Sequence, residues 1–170
     1  MKVKKIGMIG LGPMGESLSL NMMDKGIDVT GFDINARTRD RVREQGIRVV
    51  DSLKALAGSF GSERKSFWIM VPASKVDDVL MSASEYLSPG DILVEGGNSH
   101  FEDTERRAKQ AKSKGVLFIG TGISGGEEGA LKGPCIMPGG DRDAYSDVEP
   151  ILLAIAVKVD TEPCCAYMGP

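Results

Sequence analysis

A glycine-rich turn between a predicted strand and a predicted helix limits the folds open to this chain. Residues 5–9 form an apolar run typical of a buried strand, and residues 13–25 carry apolar side chains at helical spacing. The residues that join them fit the pattern G-x-G-x-x-G: Gly10, Leu11, Gly12, Pro13, Met14 and Gly15. In this context the first glycine permits a tight turn, the second lets a pyrophosphate approach the backbone, and the third lets helix and strand pack closely. The segment predicts a dinucleotide-binding turn, with an ordinary tight turn as the alternative.

An acidic residue at the end of the next predicted strand supports a nucleotide site. Residues 27–32 form that strand, and Asp33 follows it, 18 residues after Gly15. This is close to the separation of about 20 residues at which a carboxylate accepts hydrogen bonds from the adenosine ribose. A carboxylate here favours NAD and repels the 2′-phosphate of NADP. Asp33 could instead begin a turn or cap the helix that follows. Arg37 or Arg39 could reach a phosphate, which keeps NADP as the less favoured cofactor.

Length and composition describe an ordinary single domain. The chain has 170 residues, a net charge of −3 and 41% hydrophobic residues, so it carries no basic field for nucleic acid. We find no apolar run near the ~20 residues of a membrane span and no leader peptide, and we expect a cytoplasmic protein. Three cysteines suit a reducing compartment, and we expect them to be unreactive free thiols. No spacing resembles a metal-ligand set.

Strands and helices alternate along the rest of the chain. Further strands are predicted at 47–50, 67–71, 91–94, 116–119, 157–160 and 166–168, and further helices from about 35 and at 52–57, 75–86, 102–114 and 143–155, the last interrupted by Pro150. Such alternation predicts an α/β fold, a Rossmann-like, doubly wound and mostly parallel sheet flanked by helices.

Three predicted loops follow successive strands, where ligands bind in such sheets. They are residues 71–74, 95–99 and 121–126. Asn98 offers hydrogen-bond donors and an acceptor, and the hydroxyls and bare backbone of the third loop suit an oxygen-rich substrate. Glycine turns that cap helices are the structural alternative. His100, the only histidine, is expected to be a solvent-facing residue at a helix start.

The later motifs resemble those of the 6-phosphogluconate dehydrogenase family. They are Glu95-Gly96-Gly97-Asn98, the run from Phe118 through Ser124-Gly125-Gly126 to Pro134, and Ile136-Met137-Pro138-Gly139-Gly140. The glycine turn and Leu20-Asn21 also fit the wider β-hydroxyacid dehydrogenase superfamily. The run Glu127-Glu128-Gly129-Ala130-Leu131-Lys132-Gly133-Pro134 distinguishes the two, because relatives of the 3-hydroxyisobutyrate type lack it.

This resemblance implies oxidative decarboxylation of 6-phosphogluconate to ribulose 5-phosphate, with NAD or NADP as hydride acceptor. It implies two sets of binding residues. The dinucleotide set is residues 10–15, Asp33, Ile34, Asn35, Val71, Pro72, Ala73 and Asn98, and the substrate set is Asn98, Ser124, Gly125 and Gly126. NADP-dependent members carry an arginine where this chain has Ile34, and many have a lysine at Pro72, so the resemblance points to the NAD-preferring branch.

The resemblance also implies that cofactor binding and catalysis involve different domains. The family's catalytic lysine and glutamate follow the motif matched by Tyr167-Met168-Gly169, and this chain ends at Pro170. We therefore expect residues 1–170 to be a cofactor domain that is inactive alone, from an enzyme that is a homodimer or homotetramer and whose helical catalytic domain is absent here. The alternatives are another β-hydroxyacid dehydrogenase or a nucleotide-binding module without turnover.

Overall fold

The computed structural model describes residues 2–170 as alternating strands and helices. The elements are β1 (Lys5–Ile9), α1 (Pro13–Asp24), β2 (Asp28–Phe32), α2 (Ala36–Glu44), β3 (Arg48–Val50), α3 (Leu53–Gly58), β4 (Ser66–Ile69), a 3-10 turn (Ala73–Lys75), α4 (Val76–Ser84), β5 (Ile92–Glu95), α5 (Phe101–Ser113), β6 (Leu117–Ser124), α6 (Gly126–Lys132), β7 (Cys135–Gly140), α7 (Arg142–Ile155), β8 (Lys158–Val159) and β9 (Glu162–Pro163).

Seven strands form one sheet in the order β3-β2-β1-β4-β5-β6-β7. The first six are parallel, and β7 pairs antiparallel with β6 at one edge. The chain runs outward from β1 to β3, returns to β4 beside β1, and then runs outward on the other side. This reversal makes the β1–β4 boundary a topological switch point, where ligands bind beyond the carboxyl ends of the strands. The predicted doubly wound α/β fold is confirmed.

Helices cover both faces of the sheet, which explains why its central strands are continuous apolar runs. On one face α1 and α7 pack against β1, β4 and β5 through residues such as Leu18, Met22 and Leu152. On the other face Leu56 of α3 and Ala111 of α5 belong to a second buried cluster, together with Phe67. The central strands are held from both sides, so the loops at their ends project from a rigid base.

The predicted loop at 121–126 is wrong over most of its length. Residues 121–124 continue β6 and pair with β7, for example Thr121 with Pro138 and Ser124 with Cys135. The sequence did contain the alternation that a strand requires, because Ile119, Thr121 and Ile123 are separated by glycines. In the structure these three side chains are buried, while the glycines between them lie on the other face of the sheet. The glycines suggested a loop, but at Gly120 they serve packing, since a Cβ there would overlap Thr104 of α5.

The predicted interruption of the last helix at Pro150 is wrong. The helix α7 runs from Arg142 to Ile155 with Pro150 inside it. A proline there cannot donate to the carbonyl four residues earlier, which belongs to Ser146. Lys2 supplies a donor instead, with its Nζ 2.6 Å from the Ser146 oxygen. A long-range contact therefore offsets part of the local cost.

The two predicted closing strands do not join the main sheet as strands. Part of 157–160 forms β8, which pairs only with β9 in a separate hairpin. The segment 166–168 runs beside β7, where the Met168 N–H donates to the Pro138 oxygen at 2.8 Å. That segment is extended, but β7, which the sequence did not reveal, lies between it and the rest of the sheet.

The prediction that all three cysteines are free thiols is wrong for Cys135 and Cys164. Cys135 and Cys164, 29 residues apart, form a disulfide with their Cα atoms 4.9 Å apart. The Ile136 N–H donates to the Cys164 oxygen, so the backbone itself brings the pair together. Cys165 is the free cysteine, and burial raises its pKa to about 11. Sequence spacing could not reveal the pairing because it depends on β7 and the β8–β9 hairpin.

Candidate dinucleotide site

A groove of about 650 Å³ crosses the carboxyl ends of β1, β2 and β4, next to the switch point. It is lined by six of the thirteen residues predicted to bind a dinucleotide. Those that line it are Gly10, Gly12, Asp33, Ile34, Val71 and Pro72, joined by Leu53, Met70, Lys75 and Val79. The volume suits an extended small-molecule ligand.

The three glycines of the turn have the geometry that the pattern requires. Gly10 has φ +94°, and a Cβ there would overlap the Met70 carbonyl of the neighbouring strand end. A Cβ on Gly15 would overlap the Gly10 oxygen, so only glycine lets α1 start this close to β1. At Gly12 a Cβ would meet nothing within 4 Å, which leaves open space in front of the helix. Pro13 occupies the first turn of α1, where no intrahelical N–H partner is lost.

Asp33 links the glycine turn to the start of α2. One carboxylate oxygen accepts a hydrogen bond from the Leu11 N–H and the other from the Asn35 N–H, both at 2.8 Å. The Asn35 side chain in turn accepts the N–H groups of Arg37 and Thr38 and caps α2. The alternative predicted for Asp33, a turn residue before a helix, is therefore true of its local structure. It does not exclude ribose binding, because an ionised carboxylate has about four acceptor positions.

The basic residues beside Asp33 differ in how they are held. Arg39 donates from Nη1 to the carbonyls of Asp33 and Ile34, at 2.8 and 3.2 Å. Arg37 is exposed at the first turn of α2. The Ile34 side chain is 91% exposed at the mouth of the groove. This part of the groove thus presents a carboxylate and an apolar side chain, with one arginine turned toward the backbone.

Asn98 ties the loop after β5 to the neighbouring strand. It has φ +52°, and its amide pairs with the backbone of Ile123 on β6. The Asn98 Nδ2 donates to the Ile123 oxygen at 3.2 Å, and Oδ1 accepts from the Ile123 N–H at 3.1 Å. One amide hydrogen and one lone pair remain for a ligand. Asn98 does not line the main groove but a separate cleft that includes Ser99, Thr121 and Gly122.

The predicted substrate residues Ser124, Gly125 and Gly126 lie at the exposed start of α6, outside both cavities. They connect to Asn98 only through the preceding residue, Ile123. Gly125 has φ +129° and a Cβ there would come within 3.0 Å of the Gly129 Cα. Asn21 of α1 anchors α6 by donating to the Ala130 oxygen at 3.0 Å.

Sequence analysis missed a buried polar cluster beneath the loops. Its buried members are Glu95 and Arg107, which are hydrogen-bonded to the partly buried Ser99 and to the half-exposed Asp77. A signal was available, because Glu95 ends an otherwise apolar predicted strand, and a buried charge requires partners. His100, by contrast, lies exposed before the first residue of α5 as predicted.

Neither a metal-binding cluster nor a membrane-spanning helix is present in residues 2–170. Within residues 2–170, no group of three or more His, Cys, Asp or Glu side chains could hold a metal ion. No helix in the same range has both the length and the apolar character needed to cross a bilayer.

Comparison with known proteins decides the family. Residues 5–169 match the family model described as the NAD binding domain of 6-phosphogluconate dehydrogenase. The chain belongs to this family. It is 44% identical over 169 residues to the NAD(+)-dependent, decarboxylating 6-phosphogluconate dehydrogenase of Bacillus subtilis, covering 97% of the chain and 36% of that protein. It is 42% identical over 174 residues to the NADP(+)-dependent enzyme of the same organism, covering the whole chain and 37% of that protein.

A solved 6-phosphogluconate dehydrogenase from Plasmodium falciparum shares the fold. The two superpose with a TM-score of 0.92 at 31% identity, over 98% of this chain and 37% of the other. The chain thus spans little more than a third of the length of these relatives. As a member of the 6-phosphogluconate dehydrogenase family it carries the family's NAD(P)-binding domain.

Proposed function

We propose that this chain is the cofactor-binding domain of a 6-phosphogluconate dehydrogenase that prefers NAD. The observation that carries the proposal is the single groove shared by the Gly10–Gly15 turn and the Asp33 carboxylate. Open space before Gly12 suits a pyrophosphate, and the N-terminus of α1 would stabilise its charge.

The residues present fit a dinucleotide laid across the sheet. Asp33 would accept hydrogen bonds from the adenosine ribose, because each carboxylate oxygen has a free lone pair. Ile34 adds no positive charge, and Arg39 is held by the carbonyls of Asp33 and Ile34. These contacts favour a free 2′-hydroxyl over a 2′-phosphate and so favour NAD over NADP.

The other half of the ligand would extend past β4 and β5. Since β2 and β4 flank β1 on opposite sides, a dinucleotide with its adenosine on Asp33 would extend its nicotinamide toward Val71, Ala73 and Asn98. Bound NAD would supply the chemistry of hydride acceptance. Asn98 would orient both cofactor and substrate with its remaining amide hydrogen and lone pair, while Ser124, Gly125 and Gly126 would meet the sugar acid.

Proton transfer is assigned to residues outside this chain. We infer that residues 1–170 bind the cofactor and that groups of the kind that follow Tyr167-Met168-Gly169 in the family complete the reaction. The whole enzyme would convert 6-phosphogluconate to ribulose 5-phosphate as a homodimer or homotetramer. No observation favours the smaller-acid dehydrogenase or the module without turnover.

A chimera tests the activity. Residues 1–170 would be joined to the remaining two thirds of the NAD(+)-dependent Bacillus subtilis relative, and reduced-nicotinamide absorbance would be followed with 6-phosphogluconate. We expect turnover with a higher kcat/KM for NAD than for NADP, and none from the 170-residue chain alone. A matched chimera with the NADP(+)-dependent relative should keep the same preference. The proposal would be contradicted if the cofactor preference changed with the relative that supplies the C-terminal part. Turnover by the 170-residue chain alone would also contradict it.

A further inference from the structure

Two buried charges lie directly beneath the loops that border the nicotinamide side of the groove. The side chains of Glu95 and Arg107 are each 2% exposed. Removing charges from water is costly unless hydrogen bonds replace the lost hydration. The geometry of those hydrogen bonds therefore indicates what the pair does.

Glu95 organises the loop that carries Asn98. Its Oε1 accepts hydrogen bonds from the Gly97 N–H at 2.7 Å and from the Ser99 hydroxyl at 3.1 Å. Its Oε2 accepts a longer one from Thr104 of α5 at 3.4 Å. The carboxylate thus binds the residues on both sides of Asn98, whose left-handed backbone turns its side chain toward Ile123.

Arg107 joins that loop to the loop after β4. Its Nη1 donates to the Ser99 hydroxyl at 2.6 Å, and its Nη2 donates to the Ala73 carbonyl at 3.3 Å. Nε and Nη2 also donate to the Asp77 carboxylate at 3.0 and 2.9 Å. One guanidinium in α5 therefore fixes both loops and the start of α4.

The two loops are also in direct contact. At Gly97 a Cβ would lie 2.7 Å from the Val71 carbonyl and 2.8 Å from the Glu95 Oε1. With no side chain at Gly97, the two loops pack directly against each other, and the hydrogen bonds of Glu95 and Arg107 connect them. Their relative position is set from below, by groups that do not face the groove.

We propose that Glu95 and Arg107 are positioning residues that hold Ala73 and Asn98 in register for the nicotinamide half of the dinucleotide. The proposal rests on the function proposed above, which places that half of the ligand over these two loops. The adenylate half, at the glycine turn and Asp33, has its own supports and does not depend on this pair.

The test compares NAD with ADP, which occupies only the adenylate half, by calorimetric titration of the 170-residue chain. Arg107→Met removes the donors and keeps an apolar stem. We expect NAD to bind roughly tenfold more weakly, as when one ordered hydrogen-bonded contact is lost, while ADP affinity changes less than about twofold. Ser99→Ala, which removes only the hydroxyl between Glu95 and Arg107, should act in the same direction and decides the matter if Arg107→Met does not fold.

Arg106→Met is the matched control. Arg106 is the neighbouring arginine and also binds Asp77, at 2.9 and 3.1 Å, but it is exposed. Its loss should leave the ratio of NAD to ADP affinity unchanged. Equal weakening of NAD and ADP in Arg107→Met would show a merely structural role, and unchanged NAD binding would also overturn the proposal. A wild-type chain that bound neither nucleotide would instead overturn the proposed function and this inference with it.

Discussion

At Asp33 the protein's own backbone already uses two of the acceptor positions of the carboxylate. The Leu11 and Asn35 N–H groups fix its orientation, so a ribose would meet a preorganised acceptor. The same residue supports the fold and, in the function we propose, selects the ligand. The effects of its loss must therefore be separated by a substitution that keeps its shape.

We expect Asp33→Asn to narrow the preference for NAD over NADP by about 1–3 kcal/mol, because a charge-assisted hydrogen bond is lost and repulsion of the 2′-phosphate disappears. Calorimetric titration of both cofactors measures the change. Asp40→Asn is the control, since Asp40 carries the same charge on the exposed face of α2 and pairs with Arg43. A preference that stayed constant in Asp33→Asn, or shifted equally in Asp40→Asn, would show that Asp33 does not select the cofactor.

Among the elements, α6 starts from a backbone that only glycine adopts easily. Gly125→Ala should lower the thermal midpoint by roughly 3–10 °C, because φ is +129° and the new Cβ would press on Gly129. Gly58→Ala is the control, since a Cβ there meets nothing within 4 Å, and it should shift the midpoint by less than about 2 °C. Circular dichroism measures the thermal midpoint of both variants. An equal decrease in Gly125→Ala and Gly58→Ala would show that the turn at Gly125 is not conformationally constrained.

Helices α4 and α5 are joined by Asp77 with Arg107 and Arg106. Hydrogen bonds from Arg107 first, and then from Arg106, hold the pKa of the Asp77 carboxyl well below its usual range. A lowered folded-state pKa gives stability that is full above the unfolded value of about 3.9 and is lost as pH falls through the folded value.

The predicted result is that Asp77→Asn lowers the thermal midpoint by about 2–4 °C at pH 7, since solvent screens this half-exposed pair. The difference from wild type should shrink as pH falls below about 4, because there the unfolded wild-type chain takes up a proton at Asp77 while the folded chain still resists it. Midpoints measured from pH 2 to pH 7 would show it. A difference in thermal midpoint between wild type and Asp77→Asn that grew toward low pH would contradict the stabilising role of the ionised Asp77 carboxylate.

The sequence patterns predicted the central parallel strands of the main sheet correctly, but they did not predict its edge at β7. Strands β1, β4 and β5 were predictable because burial on both faces favours mostly apolar runs, which these segments have. The edge strand β7 and the end of β6 are rich in glycine and proline, which suggest loops unless the pairing partner is known. The turn at Gly10–Gly15 and the position of Asp33 in the turn before α2 depend on local spacing and could be predicted. The contacts of Arg107 could not, because they include Ala73, 34 positions away in the sequence.

On the scale of the whole molecule, the sheet order places every proposed cofactor residue at one edge. The reversal between β1 and β4 opens the groove, and the elements on either side supply its two halves. The predicted substrate residues at α6 lie beyond its end. This separation agrees with the division of labour we propose, in which the chain binds the dinucleotide and the reaction needs further residues.

Calorimetric titration of the folded 170-residue chain with NAD tests that division most directly. We predict binding of one NAD per chain, tighter than NADP, with no reduced nicotinamide formed when 6-phosphogluconate is added. A chain with a cooperative thermal transition that bound neither NAD nor NADP would contradict the account.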